Sequence, residues 1–299
     1  MLYDFKALYE AESPQDACRL LLEHPGSRVL AGGSDVLIKL REGKYRGIEL
    51  VSIYMLDELR GIEREADGTI RIGSLCNFRE VAESPLVREF APVLAEAVEL
   101  IGGPQVRNIG TIGGNTCNGV TSADSAATLL CYDAEVELLS TNGTRLLPLE
   151  DFYLGPGKVD LKPGEIQTAI LIREPGYAGY NGRFIKYAMR DAMDIATIGC
   201  SVQIRLGDDT FEDIRLAYGV ANPVPSRARE TEDKARGLEV TDDTIRRIAE
   251  SARDEMNPRN SWRASKDFRE HLIKVCTERA LRSAVERAGG TVQSRQAAQ

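Results

Sequence analysis

Apolar residues change their spacing from one segment of the chain to the next, and each change predicts an element. Over residues 13–24, Ala17, Leu20 and Leu21 recur at helical spacing, Ser13 is placed to cap the start and Pro14 suits the first turn. Pro25-Gly26 ends that helix. Residues 28–31 (RVLA) predict a brief buried strand that runs directly into Gly32-Gly33-Ser34-Asp35. Residues 36–40 resume a helical pattern and 49–53 (ELVSI) read as a strand, so the opening is a β-α-β unit. Residues 58–72 alternate as a hairpin around Ala66-Asp67-Gly68, and aliphatic stripes predict helices over 77–83 and 93–101.

The stretch 107–130, RNIGTIGGNTCNGVTSADSAATLL, holds a Gly-Gly pair, a Thr/Ser-rich turn with Asp124 and then an apolar run of helical spacing. Alone it reads equally well as a tight turn before a capped helix or as a place where backbone approaches a ligand. A hairpin follows over 134–140 and 144–148, turning at Asn142-Gly143 with the type I′ preference. Gly155-Pro156-Gly157-Lys158 resembles a phosphate loop, but the upstream glycine is missing and Val159 stands where Ser or Thr is required, so a Walker motif is rejected. Residues 166–172 are one more apolar strand. The Gly, Pro and Tyr of 174–182 predict a linker, after which 183–189, 197–206 and 214–220 read as strands and 241–256 and 264–288 as long amphipathic helices. The expected division is a first domain over 1–176, split into subdomains at about residue 57, a second α+β domain over 177–290 and a polar tail over 291–299.

At 299 residues the chain has room for both domains, and its 42% hydrophobic and 28% charged content is that of a globular protein. A net charge of −8 argues against nucleic-acid binding, and with no apolar run of membrane length and no signal-peptide pattern the protein is expected to be cytoplasmic and free of membranes. The six cysteines are scattered without a C-x-x-C pair and there are two histidines, so neither a zinc or iron–sulfur site nor a catalytic triad is expected on this chain. The basic, Trp-bearing segment 257–269 reads as a solvated helix face or subunit contact.

The chemistry lies in the Gly-Gly loops. A strand leading through Gly32-Gly33-Ser34-Asp35 into a helix exposes backbone amides suited to an anion. The G-x-G-x-x-G fingerprint is absent, and Ser34 lacks the glycine spacing of a nucleophile elbow. Two such loops, each beside a polar cluster, favour a bound dinucleotide over two unrelated turns.

With both loops in view, the chain resembles the FAD-binding subunit of the molybdenum hydroxylases, the xanthine dehydrogenase family, and most of all the separate flavin subunit of its bacterial members. The likeness is carried by LAGGSDVLIKL, TIGGNTCNGVTSADSA, FYLGPGK and FIKYAMRDAMDIATIG, which span most of the chain in the family's order. It implies a vanillyl-alcohol-oxidase-type FAD-binding fold of two α+β subdomains and a C-terminal α+β domain of three strands with helices. It also implies that Arg28, Val29, Leu30, Ala31, Gly32, Gly33, Ser34 and Asp35 wrap the pyrophosphate with backbone amides. Thr111, Ile112, Gly113, Gly114 and Asn115 do the same from the other side, with Asn118 alongside, and Asp124 bonds a ribose or ribityl hydroxyl. Lys186 falls near the flavin ring, where a cation stabilises the reduced anionic state; its plain alternative is an exposed strand lysine. Gln167, which the resemblance also counts among the residues that contact the cofactor, departs from the family's leucine after Glu-Ile. Residues 189–195 form a loop on the face where a nicotinamide docks, with Arg190, Asp191 and Asp194 setting its charge. No side chain is expected as general acid or base, because the cofactor carries the chemistry. The implied partners are a molybdenum-cofactor large subunit and a [2Fe–2S] small subunit, with NAD+ as acceptor. The alternatives are a flavin subunit of a related hydroxylase, a free-standing flavin oxidoreductase such as the one that reduces a peptidoglycan precursor, and a scaffold that has lost flavin.

Overall fold

A computed structural model describes residues 3–293, so most of the expected tail, 294–299, lies outside the described residues. The described residues build three larger sheets and a two-stranded hairpin, with helices packed against them. The first layer holds β1 (Phe5–Glu10), α1 (Pro14–Glu23), β2 (Arg28–Leu30), α2 (Val36–Arg41) and β3 (Ile48–Ser52), with a parallel sheet of order β1-β3-β2. Ser13 caps α1 as expected, its Oγ accepting from the Asp16 amide at 3.1 Å. β1 has no strong sequence signature; it forms by pairing along β3. β2 corrects an expectation. It is an edge strand with Arg28 exposed and Val29 and Leu30 half-buried, because only β3 flanks it.

The second layer is an antiparallel sheet of order β4-β5-β10-β6-β7, made by β4 (Ile62–Arg64), β5 (Ile70–Gly73), β6 (Glu135–Ser140), β7 (Gly143–Pro148) and β10 (Ile166–Ile172). Central β10 is buried along its whole length, as its unbroken apolar run requires. The hairpin between β6 and β7 pairs Ser140 with Gly143, so its turn residues are Thr141 and Asn142. Neither has positive φ, which rules out type I′; Gly143 takes the left-handed burden at φ +121°. Over one face run α3 (Phe78–Glu83), α4 (Pro85–Phe90), α5 (Pro92–Glu99), α6 (Pro104–Ile109), α7 (Ile112–Cys117) and α8 (Asp124–Cys131). Three of these, α4, α5 and α6, begin on a proline. A short helix α9 (Leu149–Phe152) leads to a small hairpin of β8 (Tyr153–Gly155) and β9 (Lys158–Val159).

The segment expected as a linker is packed. Its first half forms α10 (Glu174–Tyr177), with Gly176 and Tyr177 buried and the Tyr177 hydroxyl donating to the Gly68 carbonyl at 2.7 Å. The C-terminal part is a sheet of β11 (Asn181–Tyr187), β12 (Ile198–Leu206), β13 (Phe211–Gly219) and a two-residue fourth strand, β14 (Ser226–Arg227). α11 (Arg229–Ala235), α12 (Asp242–Glu255) and α13 (Lys266–Arg287) cover it. Arg215 on β13 staples this sheet to the rest, donating to the carbonyls of Cys131 and Gly176 at 2.8 and 2.9 Å. Among the described residues no helix is long and apolar enough to cross a membrane.

Candidate functional site

The chain leaves β2 and bends through Ala31, Gly32, Gly33, Ser34 and Asp35 into α2. Val29 and Ala31 turn their side chains to the apolar core beneath the first layer. Gly33 bends at φ +75°, a conformation that disfavours any side chain. Gly32 is demanded by space: a Cβ there would lie 1.6 Å from the carbonyl oxygen of Ile109. That contact sets the first loop against the residues that lead into Thr111. Among the described residues, the amides of 32–36 have no hydrogen-bond partner within the chain. Successive free N–H groups on a glycine-bent loop form a cradle for an anion.

The second loop works differently. Gly113 and Gly114 lie inside α7, and Thr111 caps it, its Oγ1 accepting from the Gly114 amide at 3.0 Å. The expectation that Thr111, Ile112, Gly113, Gly114 and Asn115 wrap an anion with their amides needs correction. The amides of Ile112 and Gly113 donate to the carbonyls of Cys76 and Ser74 at 2.9 and 3.0 Å, and that of Asn115 to Thr111. Gly113 serves close packing, since a Cβ there would lie 2.5 Å from the Ser74 Cβ. What this segment offers a ligand is the exposed backbone at Gly114 and the Asn115 side chain, oriented by Ser125 Oγ donating to its Oδ1 at 2.6 Å.

Asn118 closes α7, and its Oδ1 accepts from Lys39 Nζ of α2 at 3.0 Å. Gln167 holds α7 from the central strand. Its Oε1 accepts from Thr116 Oγ1 at 2.8 Å and Cys117 Sγ at 3.1 Å, while its buried Nε2 has no partner. The Gly-Pro-Gly turn of the β8–β9 hairpin closes beneath, Gly157 donating to the Gly119 carbonyl at 2.8 Å.

Asp124 opens α8 and pairs with Lys186 of β11 at 2.6 Å, with side chains only 6% and 8% exposed. Lys186 is therefore not the exposed strand lysine of the plain alternative; its Nζ also donates to the Leu100 carbonyl at 2.9 Å. Burial pushes the Asp124 carboxyl up to about 6, against the opposing pull of the Lys186 charge. Asp124 Oδ1 is buried without a partner, an acceptor waiting for a donor.

Beyond β11, residues 189–195 carry the exposed side chains Met189, Met193 and Ile195. Asp194 is spent inside the loop and does not set its outer charge. It accepts from the Arg190 and Ile195 amides at 3.1 and 2.8 Å and faces Arg263 at 3.4 Å. Burial works to raise its pKa, but the Ile195 amide and the Arg190 charge hold it below the usual carboxylate range. Arg190 and Asp191 remain exposed.

Four further residues belong to this region: Lys39, Thr116 and Ser125, which lie within the motifs but carry no role from the sequence, and Arg269, which lies outside them. Lys39 had a signal, one helical turn after Asp35. Arg269 had none; it reads as part of a basic surface run, yet it is buried, donating to the Thr197 carbonyl at 3.1 Å and Ser261 Oγ at 2.7 Å. Trp262, 79% exposed and stacked under Arg263, is the part of that run that faces solvent. Among the described residues no cluster of His, Cys, Asp and Glu is arranged to hold a metal ion.

Residues 3–174 match the FAD binding domain in molybdopterin dehydrogenase, and residues 183–284 match the CO dehydrogenase flavoprotein C-terminal domain. The xanthine dehydrogenase FAD-binding subunit of Escherichia coli O157:H7 is 44% identical, over 98% of this chain and all of the relative, 100%. The carbon monoxide dehydrogenase medium chain of Hydrogenophaga pseudoflava is 31% identical over 92% of this chain and 96% of its own. In solved form, a carbon monoxide dehydrogenase from Hydrogenophaga pseudoflava that lacks the Mo-pyranopterin moiety superimposes with a TM-score of 0.91 at 30% identity, covering 96% of this chain and 99% of that one. The chain belongs to the FAD-binding subunits of the xanthine dehydrogenase and carbon monoxide dehydrogenase family, and FAD is its cofactor.

Proposed function

We propose that this member of the family is the flavin-bearing electron-transfer subunit of a xanthine dehydrogenase-type heterotrimer acting in the cytoplasm on a purine. In this reading a large partner chain oxidises the substrate at a molybdenum centre. A small partner relays the electrons through [2Fe–2S] clusters, and they leave this chain as hydride to NAD+. The higher identity to a xanthine dehydrogenase subunit, 44% against 31% for the carbon monoxide dehydrogenase chain, supports the substrate class.

Bound FAD supplies the two-electron chemistry. The chain's own residues bind and orient it. The observation that carries the assignment is the run of free amides at 32–36 on a loop that excludes a Cβ at Gly32. These donors suit the diphosphate oxygens, and no side chain has to move to expose them. Asn115, fixed by Ser125, and the unpartnered Asp124 Oδ1 suit sugar or ribityl hydroxyls. Lys186 holds its charge beside Asp124 at the start of the C-terminal sheet, where a cation favours negative charge on a reduced ring. Met189 and Met193 offer an apolar face for a nicotinamide.

Anaerobic addition of NADH to the FAD-loaded chain tests the acceptor. Bleaching of the flavin band at stoichiometric NADH is expected. A flavin that dithionite reduces but NADH does not would refute the NAD+ assignment while leaving FAD binding intact.

A further inference from the structure

We propose that Lys39 is a binding determinant for the cofactor's diphosphate, cancelling the charge of Asp35 from a position that Asn118 fixes; this rests on the placement of the diphosphate at residues 32–36 given above. Asp35 is the last residue of the loop, and its own amide is one of the free donors. A carboxylate beside a cradle for a dianion is a repulsive element. Among the described residues its ion-pair partner is Lys39 alone, one turn further along α2. The Arg28 guanidinium, the other cation of this loop, is turned to the ring of Tyr45 at 5.4 Å. Lys39 Nζ reaches Asp35 Oδ2 and Asn118 Oδ1 together, the latter at 3.0 Å. One ammonium therefore joins the first subdomain to the end of α7 in the second. Its side chain is braced by the Tyr45 ring, 5.7 Å away.

Charge cancellation and a merely structural bridge to Asn118 separate by mutation. With Lys39 replaced by methionine, the stem persists but Asp35 is left unneutralised beside the anion. Removing the Asp35 charge as well should restore binding if electrostatics dominate, whereas a purely structural lysine would leave the double variant as weak as the single.

The experiment is FAD titration into the full-length chain, followed by flavin fluorescence, for wild type, Lys39→Met, Asp35→Asn, Asp35→Asn/Lys39→Met and Lys39→Arg. We expect Lys39→Met to weaken binding by about tenfold or more, with the double variant within about threefold of Asp35→Asn alone and Lys39→Arg retaining most of the affinity. Lys39→Met binding like wild type, or a double variant as weak as Lys39→Met, overturns the proposal. Failure of the wild-type chain to bind FAD overturns the underlying site assignment instead, so the two failures are distinct.

Discussion

Replacing Lys186 by methionine probes the buried pair at the centre of the site. Asp124 is pushed up to about 6 with the lysine present, against about 3.9 in an unfolded chain. The folded carboxyl holds its proton more tightly than the unfolded one, so this group removes stability as pH rises from about 4 to about 6, and the loss is complete above that window. At pH 7 the loss is about 3 kcal/mol, from a shift of about two pH units. Without the Lys186 cation a carboxyl this deeply buried stays protonated at pH 7, and the loss grows to about 4 kcal/mol. The variant is therefore less stable by about 1 kcal/mol through this group, plus about 1 kcal/mol for the lost bond to the Leu100 carbonyl. At pH 5.5 the carboxyl is largely protonated in both proteins, and the first contribution nearly vanishes. Urea unfolding of wild type and Lys186→Met at pH 5.5 and 7 measures the difference directly. A gap that is the same at both pH values, or wider at pH 5.5, refutes the reasoning.

Gly32→Ala forces the loop away from the Ile109 carbonyl, because the new Cβ has 1.6 Å of room; FAD affinity should fall by more than about tenfold in a fluorescence titration. Gly33→Ala, strained by its φ of +75°, should cost about 1 kcal/mol of stability in a urea melt. Arg215→Met removes the donor to the Cys131 and Gly176 carbonyls and should cost about 3 kcal/mol or more, read as a lowered melting temperature. Asp124→Asn leaves the Lys186 charge uncancelled and should raise the flavin midpoint potential in a spectroelectrochemical titration; a lowered potential would place Lys186 away from the ring.

Much of the fold was legible because its elements carry local signals. Ser13-Pro14, the alternation about Asp67-Gly68, and the long stripes of α12 and α13 each specify their element without help from distant residues. The short helices were missed where the signal was a single proline, as in α4 and α6. α7 was hidden because glycines that read as a turn are there for packing against Ser74. β1 depends on its partner strand, which no local pattern announces. At the site, the Gly32–Asp35 loop was readable because glycine need and free amides are both local properties. Lys186 for Asp124, Thr116 for Gln167 and Thr197 for Arg269 lie 62, 51 and 72 residues away in the chain, and only folding reveals them.

The most direct measurement is the absorbance spectrum of the purified chain before and after adding FAD, repeated on Gly32→Ala. A flavin spectrum with one FAD per chain in the wild type, and a much weaker uptake in the variant, is the predicted result. A wild-type chain that neither carries nor takes up FAD, or a variant that binds it equally well, would contradict the cradle at residues 32–36.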